Sequence, residues 1–435
     1  MSPVFRAGDE VEVNGTSLRA TVLDLLGEGG QGEVYRAILH GEDVALKWYH
    51  LAQATPEQRK ALERLVRRGP PDKRFLWPRA LVSAPRRAPQ SFGYVMAIRD
   101  DRFASIVDLM KRRVEPSFRA LATAGFQLAD SFLALHSRGL CYRDISFGNV
   151  FFDPRTGDVL VCDNDNVTVD GSRMTGVQGT PRFMAPEIVR GEAAPTSATD
   201  LWSLSVLLFY LFMVHHPLEG RRELEIKCLD LPAMTRLYGS QALFLFDPSD
   251  PSNRPVPGEQ DNPLAYWPLY PDAFRTHFLR SFTDGVRDPA HGRVRESEWR
   301  AAMVSLRDAI RTCPSCSAEA FIGAGAPERC WSCRHTFGPA LRVRLPGGEV
   351  VLESGTQLYR HHLELNGLYD FDGPRAIVQR HPQDPSRLGL KNLGGSSWTA
   401  TDTSGQVHEV ASGRSVSLTP GLVIGFGATT GTVLS

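Results

Sequence analysis

Tyr142-Arg143-Asp144-Ile145-Ser146-Phe147-Gly148-Asn149 stands between a stretch of helical periodicity at 118–136 and two short apolar runs at 150–153 and 159–163, the runs split by Pro154-Arg155-Thr156-Gly157. The runs read as strands joined by a tight turn, and the second ends in Cys162-Asp163-Asn164-Asp165. An acid, an amide five residues later, and a further acid after a hairpin make an ordered set of hard oxygen donors. Phosphoryl transfer mostly requires positioning and charge neutralisation. The set suits it: Asp144 is placed to accept the proton of an attacking hydroxyl, and Asn149 and Asp163 to hold magnesium. Any one of them alone would read as a turn residue; the order carries the argument. Asp165 is a second option for the metal, but the strand lengths favour Asp163.

Upstream, Gly27-Glu28-Gly29-Gly30-Gln31-Gly32-Glu33-Val34 follows the pattern Gly-x-Gly-x-x-Gly-x-Val between predicted antiparallel strands at 21–26 and 33–39, with a third at 43–48. Glycines let a backbone fold closely over a triphosphate and offer it amides. A dinucleotide fold would need a helix after the third glycine, whereas Val34-Tyr35-Arg36-Ala37 continues as strand. Fifteen residues past Gly32, Val44-Ala45-Leu46-Lys47 ends an apolar strand in a lysine, a cation suited to α- and β-phosphates. A helix is predicted from Thr55-Pro56-Glu57 to about Arg68, closed by Gly69-Pro70-Pro71, with a further strand at 91–98. Of its acids, Glu63 is the better partner for Lys47, because Glu57 sits in the first turn, where acids favour capping.

These residues, in this order, resemble the eukaryotic-type protein-kinase family over roughly residues 21–311. Gly179-Thr180-Pro181-Arg182-Phe183-Met184-Ala185-Pro186-Glu187 resembles the end of an activation segment, and Asp200-Leu201-Trp202-Ser203-Leu204 the start of the central buried helix. Arg287-Asp288-Pro289 with Arg293 resembles the late segment whose arginine pairs with the glutamate, here Glu187. The resemblance implies an α+β, bilobal domain over residues 12–311, with a small lobe at about 12–98 and a large one at about 99–311. It implies ATP with Mg2+ (or Mn2+) bound by Gly27, Gly29, Gly30, Gly32, Val34, Ala45, Lys47, Met96, Asn149 and Asp163. Glu63 would orient Lys47, Asp144 would act on the substrate hydroxyl, and Thr180 would support Asp144. More narrowly, Phe75-Leu76-Trp77-Pro78, Phe92-Gly93-Tyr94-Val95-Met96, Cys162-Asp163-Asn164-Asp165-Asn166-Val167 and residues 244–257 are similar to bacterial kinases that accompany a TerY-like von Willebrand A protein and a metal-dependent protein phosphatase. The expected function is an ATP- and Mg-dependent Ser/Thr protein kinase in a bacterial phosphorylation signalling system, acting on a protein substrate, with those two proteins as implied partners.

Two positions depart from the family. Tyr142 stands where His is usual, and Asn164-Asp165 where Phe-Gly is usual. The change removes aromatic packing and adds an amide that needs partners. It also motivates the alternative, a pseudokinase scaffold that senses nucleotide and assembles the phosphatase and von Willebrand A partner. Thr168, Ser172 and Thr175 are candidate phosphosites within reach of Arg143.

Cys313-Pro314-Ser315-Cys316 and Cys330-Trp331-Ser332-Cys333, thirteen residues apart, have the spacing of a zinc ribbon over 312–340. Four thiolates complete a tetrahedral Zn2+, so the site reads as structural. Cys141, Cys162 and Cys228 are single and read as ordinary thiols. Residues 341–435 read as short strands and glycine-rich turns, an all-β sandwich. Leu388-Gly389-Leu390-Lys391-Asn392-Leu393, Gly413-Arg414-Ser415 and 418–427 faintly resemble a forkhead-associated domain, which would bind phosphothreonine; Arg360, Arg375 and Arg380 are candidates for that role, and binding of a partner without phosphate is an equal reading.

The 435 residues carry 49 basic and 49 acidic groups, 42% hydrophobic and 23% charged residues, an ordinary globular balance. Zero formal net charge gives no general drive toward nucleic acid. There is no secretory leader pattern at Met1, and the longest apolar run, 201–214, is too short to span a bilayer. The expected location is the cytoplasm, without membrane.

Overall fold

The alternation over residues 21–48 becomes the core of a closed antiparallel barrel. Its strands are β1 (Glu10–Val13), β2 (Arg19–Glu28), β3 (Gly32–Leu39), β4 (Glu42–Tyr49), β5 (Ala80–Ser83) and β6 (Gly93–Ala97), in the order β1-β2-β3-β4-β6-β5. The four-residue strands β1 and β5 close the ring; they are too short to show clear alternation in sequence. Period two sorts β4 sharply. Val44, Leu46 and Trp48 enter the barrel with Val22, Tyr35 and Val95, and Phe5 packs edge-on against Trp48 at 4.8 Å. Ala45 and Tyr49 lie in a second apolar cluster with Leu62, Leu76 and Met96, so Lys47 between them shares the face outside the barrel.

The helix α1 (Pro56–Arg68) follows, with Thr55 capping the Gln58 amide, Pro56 in the first turn and Gly69 closing it at φ 70°. Further on, Phe118–His136 buries most of its length. Ser197–Met213, capped by Thr196, is buried nearly all round, which explains why its sequence is apolar without a polar face. Near its start, the short helix Pro186–Val189 carries Glu187, whose two carboxylate oxygens each accept from Arg293 Nη2 at 2.8 Å, both side chains being buried. Residues 247–271 include the helix Asp261–Tyr266 and two short 3-10 turns. Buried Asn253 donates to Leu218 O and Leu243 O at 2.9 and 2.7 Å and holds this segment in place.

This computed structural model describes residues 3–171, 179–365 and 369–435. The chain divides into two units, Met1–Leu264 with Thr276–Arg300, and Ala265–Arg275 with Ala301–Ser435. Residues 301–311, assigned from sequence to the large lobe, therefore group with the second unit. There the strand Ile310–Thr312 pairs with Glu319–Phe321, Asp272 N donates to Ala324 O at 2.8 Å, and Tyr270 packs on Phe321 at 5.2 Å. The rest of this unit is mostly β. A six-stranded sheet runs Gly348–Val351, Arg342–Leu345, Thr430–Leu434, Val423–Gly425, Trp398–Thr401, Val407–Val410, and a four-stranded sheet runs Gln357–Leu358, Ala376–His381, Asp384–Asn392, Ser415–Ser417. One buried cluster draws Val343, Trp398 and Ile424 from the first and Leu358, Val378 and Leu390 from the second, so the sheets pack face to face as a sandwich.

Breaking a buried ion pair from one side leaves the other charge uncompensated, at a cost of about 3–5 kcal/mol. Arg293→Met is expected to lower the unfolding free energy by that order, and Arg293→Met with Glu187→Leu to recover much of it. Urea denaturation followed by tryptophan fluorescence measures both.

Candidate active site

The strand pair Val150–Phe152 and Val159–Val161 brings two predicted site residues side by side. Val150 faces Val161, and Cys162 N donates to Asn149 O at 2.8 Å, so Asn149 and Asp163 emerge from neighbouring ends. The second strand is tied to the residues before β5, with Leu76 N on Val161 O and Val161 N on Arg74 O, each at 2.9 Å. Asp163 and Arg143 adopt left-handed backbone, φ 48° and 76°. Such conformations cost of order 1–3 kcal/mol for a non-glycine residue and persist where surroundings over-determine them.

Asp200 supplies that restraint for the loop. Its buried carboxylate accepts from Tyr142 N at 2.5 Å and Arg143 N at 3.0 Å, and from His136 Nε2 at 3.1 Å. Asp144 follows directly. Its Oδ1 accepts from Thr180 Oγ1 at 2.9 Å, and Asn149 Nδ2 donates to its carbonyl at 2.7 Å. Phe147 is wedged edge-on against Phe183 and Tyr210, at 4.8 and 4.5 Å, fastening the loop to the segment that carries Thr180. The structure thus gathers Asp144, Asn149 and Thr180.

Lys47, on the outer face of β4, is buried and meets three groups. Its Nζ lies 2.9 Å from Asp165 Oδ2, 2.9 Å from Gln31 Oε1 and 3.4 Å from Asp163 Oδ1. Burial pushes the ammonium down, and Asp165 and then Asp163 push it back up, leaving Lys47 above its ordinary value. Burial also raises Asp163, a rise that Lys47 opposes and the charges of Asp165 and Asp144 add to.

Glu63 is not at Lys47. It is 43% exposed and pairs with Arg59 at 3.5 Å. The inward face of α1 is taken by Ala61, Leu62 and Leu65, and the ~100° step per residue turns position 63 away. Gln58, one turn before Leu62, does point in, and its Nε2 donates to Tyr49 Oη at 3.2 Å and Asp165 O at 3.4 Å. Asp165 therefore occupies the place expected of Glu63. Asp165, Tyr49, Gln58 and Gln31 went unrecognised in this role; the acid at 165, where the resemblance has Gly, is the signal that could have found them.

The two positions that depart from the resemblance are held by hydrogen bonds. Asn164 is fully buried and donates through Nδ2 to Leu76 O and Val161 O, each at 2.9 Å. Tyr142 donates its hydroxyl to Cys162 O and packs edge-on against Phe132 at 5.8 Å.

Beside Lys47, Ala45 pairs with Met96 in the ladder, and Val34, Leu160 and Cys162 pack against the same cluster, an apolar wall suited to a planar base. Above it is the glycine hairpin. A Cβ on Gly32 would fall 2.0 Å from Trp48 O, so close approach to β4 explains that glycine. Gly27, Gly29 and Gly30 meet nothing within 4 Å. Packing does not require them, which fits a loop kept bare for a ligand. Three carboxylates, Asp144, Asp163 and Asp165, against one ammonium also fit a divalent cation with phosphates.

In the second unit, the sulfurs of Cys313, Cys316, Cys330 and Cys333 all lie within 4.8 Å of one another, an arrangement compatible with tetrahedral zinc. Of the three arginines considered for phosphothreonine, Arg360 pairs with Glu364 at 2.6 Å, Arg380 donates to Pro385 O at 2.9 Å, and Arg375 N donates to Leu358 O at 2.7 Å. Thr168 is part-buried in a ladder with Cys141, and Ser172 and Thr175 lie outside the described residues. No helix among the described residues is long and apolar enough to cross a membrane.

Residues 94–255 match the family described as protein kinase domain, which leaves the glycine hairpin and Lys47 outside the matched stretch. The chain is 31% identical over 206 residues to CBL-interacting protein kinase 4 of Oryza sativa subsp. japonica, covering 45% of this chain and 44% of that one. It is 33% identical over 128 residues to the cell cycle serine/threonine-protein kinase CDC5/MSD2 of Saccharomyces cerevisiae, covering 27% and 17%. It is 30% identical over 118 residues to the probable serine/threonine-protein kinase CCRP1 of Zea mays, covering 26% and 19%. The chain spans less than half the length of these relatives.

His136 makes the loop's anchor sensitive to pH. Burial lowers its proton affinity, but its bonds to Asp200 and Glu296 raise it more, from 6.5 to about 9. With the folded value above the unfolded one, the imidazolium stabilises the fold fully below pH 6.5, and the gain is lost as pH rises toward 9. The loss is expected to be on the order of 3 kcal/mol in unfolding free energies across that window. His136→Gln should remove this component.

Proposed function

We propose that the first unit is an ATP- and Mg2+- (or Mn2+-) dependent Ser/Thr protein kinase. The observation that carries this reading is the convergence of Asp144, with its Thr180 and Asn149 bonds, and the Lys47–Asp163 pair beside an open glycine hairpin. In this reading the hairpin glycines 27, 29, 30 and 32 cover the phosphates, Lys47 grips them, and Val34, Ala45 and Met96 line the base. Asn149 and Asp163 would hold the cation, which neutralises phosphate charge when bound. Thr180 holds the Asp144 carboxylate, which takes the proton of the substrate hydroxyl. Because the hydrogen bonds of Asn164 take the place of the missing aromatic and Tyr142 keeps a ring packed on Phe132, the departures leave these charged groups in register, which favours an enzyme over a nucleotide-sensing scaffold.

The reading extends to a bacterial phosphorylation system with a metal-dependent phosphatase and a TerY-like von Willebrand A protein as partners, on sequence resemblance. The β sandwich serves as a recognition module in this reading, for a phosphothreonine or for a partner without phosphate. We propose structural Zn2+ for the four cysteines, because four sulfurs leave no open position.

With γ-labelled ATP, Mg2+ and a generic protein substrate, Asp144→Asn should lower phosphotransfer by roughly 10²–10⁴-fold, and Lys47→Met should abolish detectable transfer. Wild-type protein that binds nucleotide yet transfers nothing would establish the scaffold instead.

Metal analysis of the purified chain should find about one zinc, lost when all four cysteines become serine, with unfolding of the ribbon. Equal zinc in both proteins would reject the assignment.

A further inference from the structure

We infer that Asp165 is the positioning residue of Lys47, doing from the turn after the metal-binding strand what a helix carboxylate would otherwise do, and that Tyr49 and Gln58 hold it there. The inference rests on the phosphotransfer reading and specifies how its lysine is oriented. A buried ammonium needs a buried counter-charge. Both carboxylates of α1 are excluded: Glu57 is exposed in the first turn and Glu63 pairs with Arg59. Of the two acids that meet Lys47, Asp163 is 39% exposed and lies at 3.4 Å, and Asp165 is the buried one. Its side chain is 0% exposed, its Oδ2 is 2.9 Å from Lys47 Nζ, and the same oxygen accepts the Tyr49 hydroxyl.

The support is built from the same face of β4. Tyr49 lies two residues beyond Lys47, so period two turns both toward Asp165. Gln58 Nε2 then bridges Tyr49 Oη and Asp165 O, linking α1 to the turn without a charge of its own. Lys47 thus has acidic and neutral partners. Asp165 is the buried acid, and Asp163, at 3.4 Å, the more exposed one. Gln31 is a neutral amide on the hairpin, also bonded through Nε2 to Asn166 Oδ1 at 3.1 Å. A phosphate entering under the hairpin displaces the neutral amide and leaves the Asp165 pair standing.

The test uses the full chain and three variants: Asp165→Asn, Glu63→Gln, and Asp165→Asn with Gln58→Glu, which moves the carboxylate to α1. Turnover, KM for ATP and affinity for a fluorescent ATP analogue with Mg2+ are measured, with thermal unfolding as a check on folding. Glu63→Gln should stay within about twofold of wild type. Asp165→Asn should lose ~10²-fold in kcat/KM, the scale of a misplaced catalytic group, and bind the analogue more weakly. The double variant should recover tenfold or more, which a purely structural role would not give. Loss in Glu63→Gln equal to that in Asp165→Asn overturns the inference, as does a folded Asp165→Asn with wild-type kinetics and affinity. An inactive Asp165→Asn with unchanged analogue affinity and no rescue also overturns it. If wild type itself transfers no phosphate, the functional reading fails, and the analogue affinities alone decide on Asp165.

Discussion

One carboxylate holds the reacting loop in shape. Asp200 sits at the start of the most buried helix of the chain and accepts two consecutive backbone amides, those of Tyr142 and Arg143, along with the His136 imidazole. Without these bonds the left-handed backbone at Arg143 would relax, and Asp144 would lose the direction from which it meets Thr180 and Asn149. A hydrogen bond to a charged acceptor is worth more than a neutral one, and burial keeps water from competing. The helix is buried nearly all round, so it carries this acid into the interior on a rigid support.

The gathering of the charged residues was legible in the sequence because it is local. Asp144 and Asn149 share one loop, Asp163 closes the next hairpin, and four cysteines announce themselves by spacing. The strands β2, β3, β4 and β6 were visible as alternation, and α1 by its cap and its stop. What escaped depends on phase and on contacts between distant segments. Glu63 and Gln58 sit on one helix, and their opposite orientations follow from where Leu62 and Leu65 are buried, which becomes definite only once the barrel face is known. Asp165 was seen as a possible metal ligand; its pairing with Lys47 spans more than a hundred residues and no spacing rule reaches that far. The grouping of residues 265–275 with the ribbon is of the same kind, resting on Asp272 and Tyr270 meeting the strand Glu319–Phe321 and the residues just after it.

The nucleotide side of the site shows an economy of charge. One ammonium meets two acids, Asp163 and Asp165, and the charge of Asp144 bears on Asp163, so the surplus is negative, which suits a divalent cation together with a polyanion. Tyr49 shares Oδ2 of Asp165 with Lys47, so that oxygen is hydrogen-bonded as well as neutralised.

The buried Asn164 has a consequence for the ligands this site can select. An aromatic ring at that position can swing between apolar pockets, because dispersion contacts are non-directional and are remade elsewhere. An amide bonded to Leu76 O and Val161 O is anchored by direction as well as by contact. An inhibitor that requires this turn to flip outward would have to leave buried carbonyls unpaired, at about 1–3 kcal/mol each. Compounds that lie along Ala45 and Met96 under the glycine hairpin meet no such barrier, so the pharmacology of this chain should favour ligands of the closed turn.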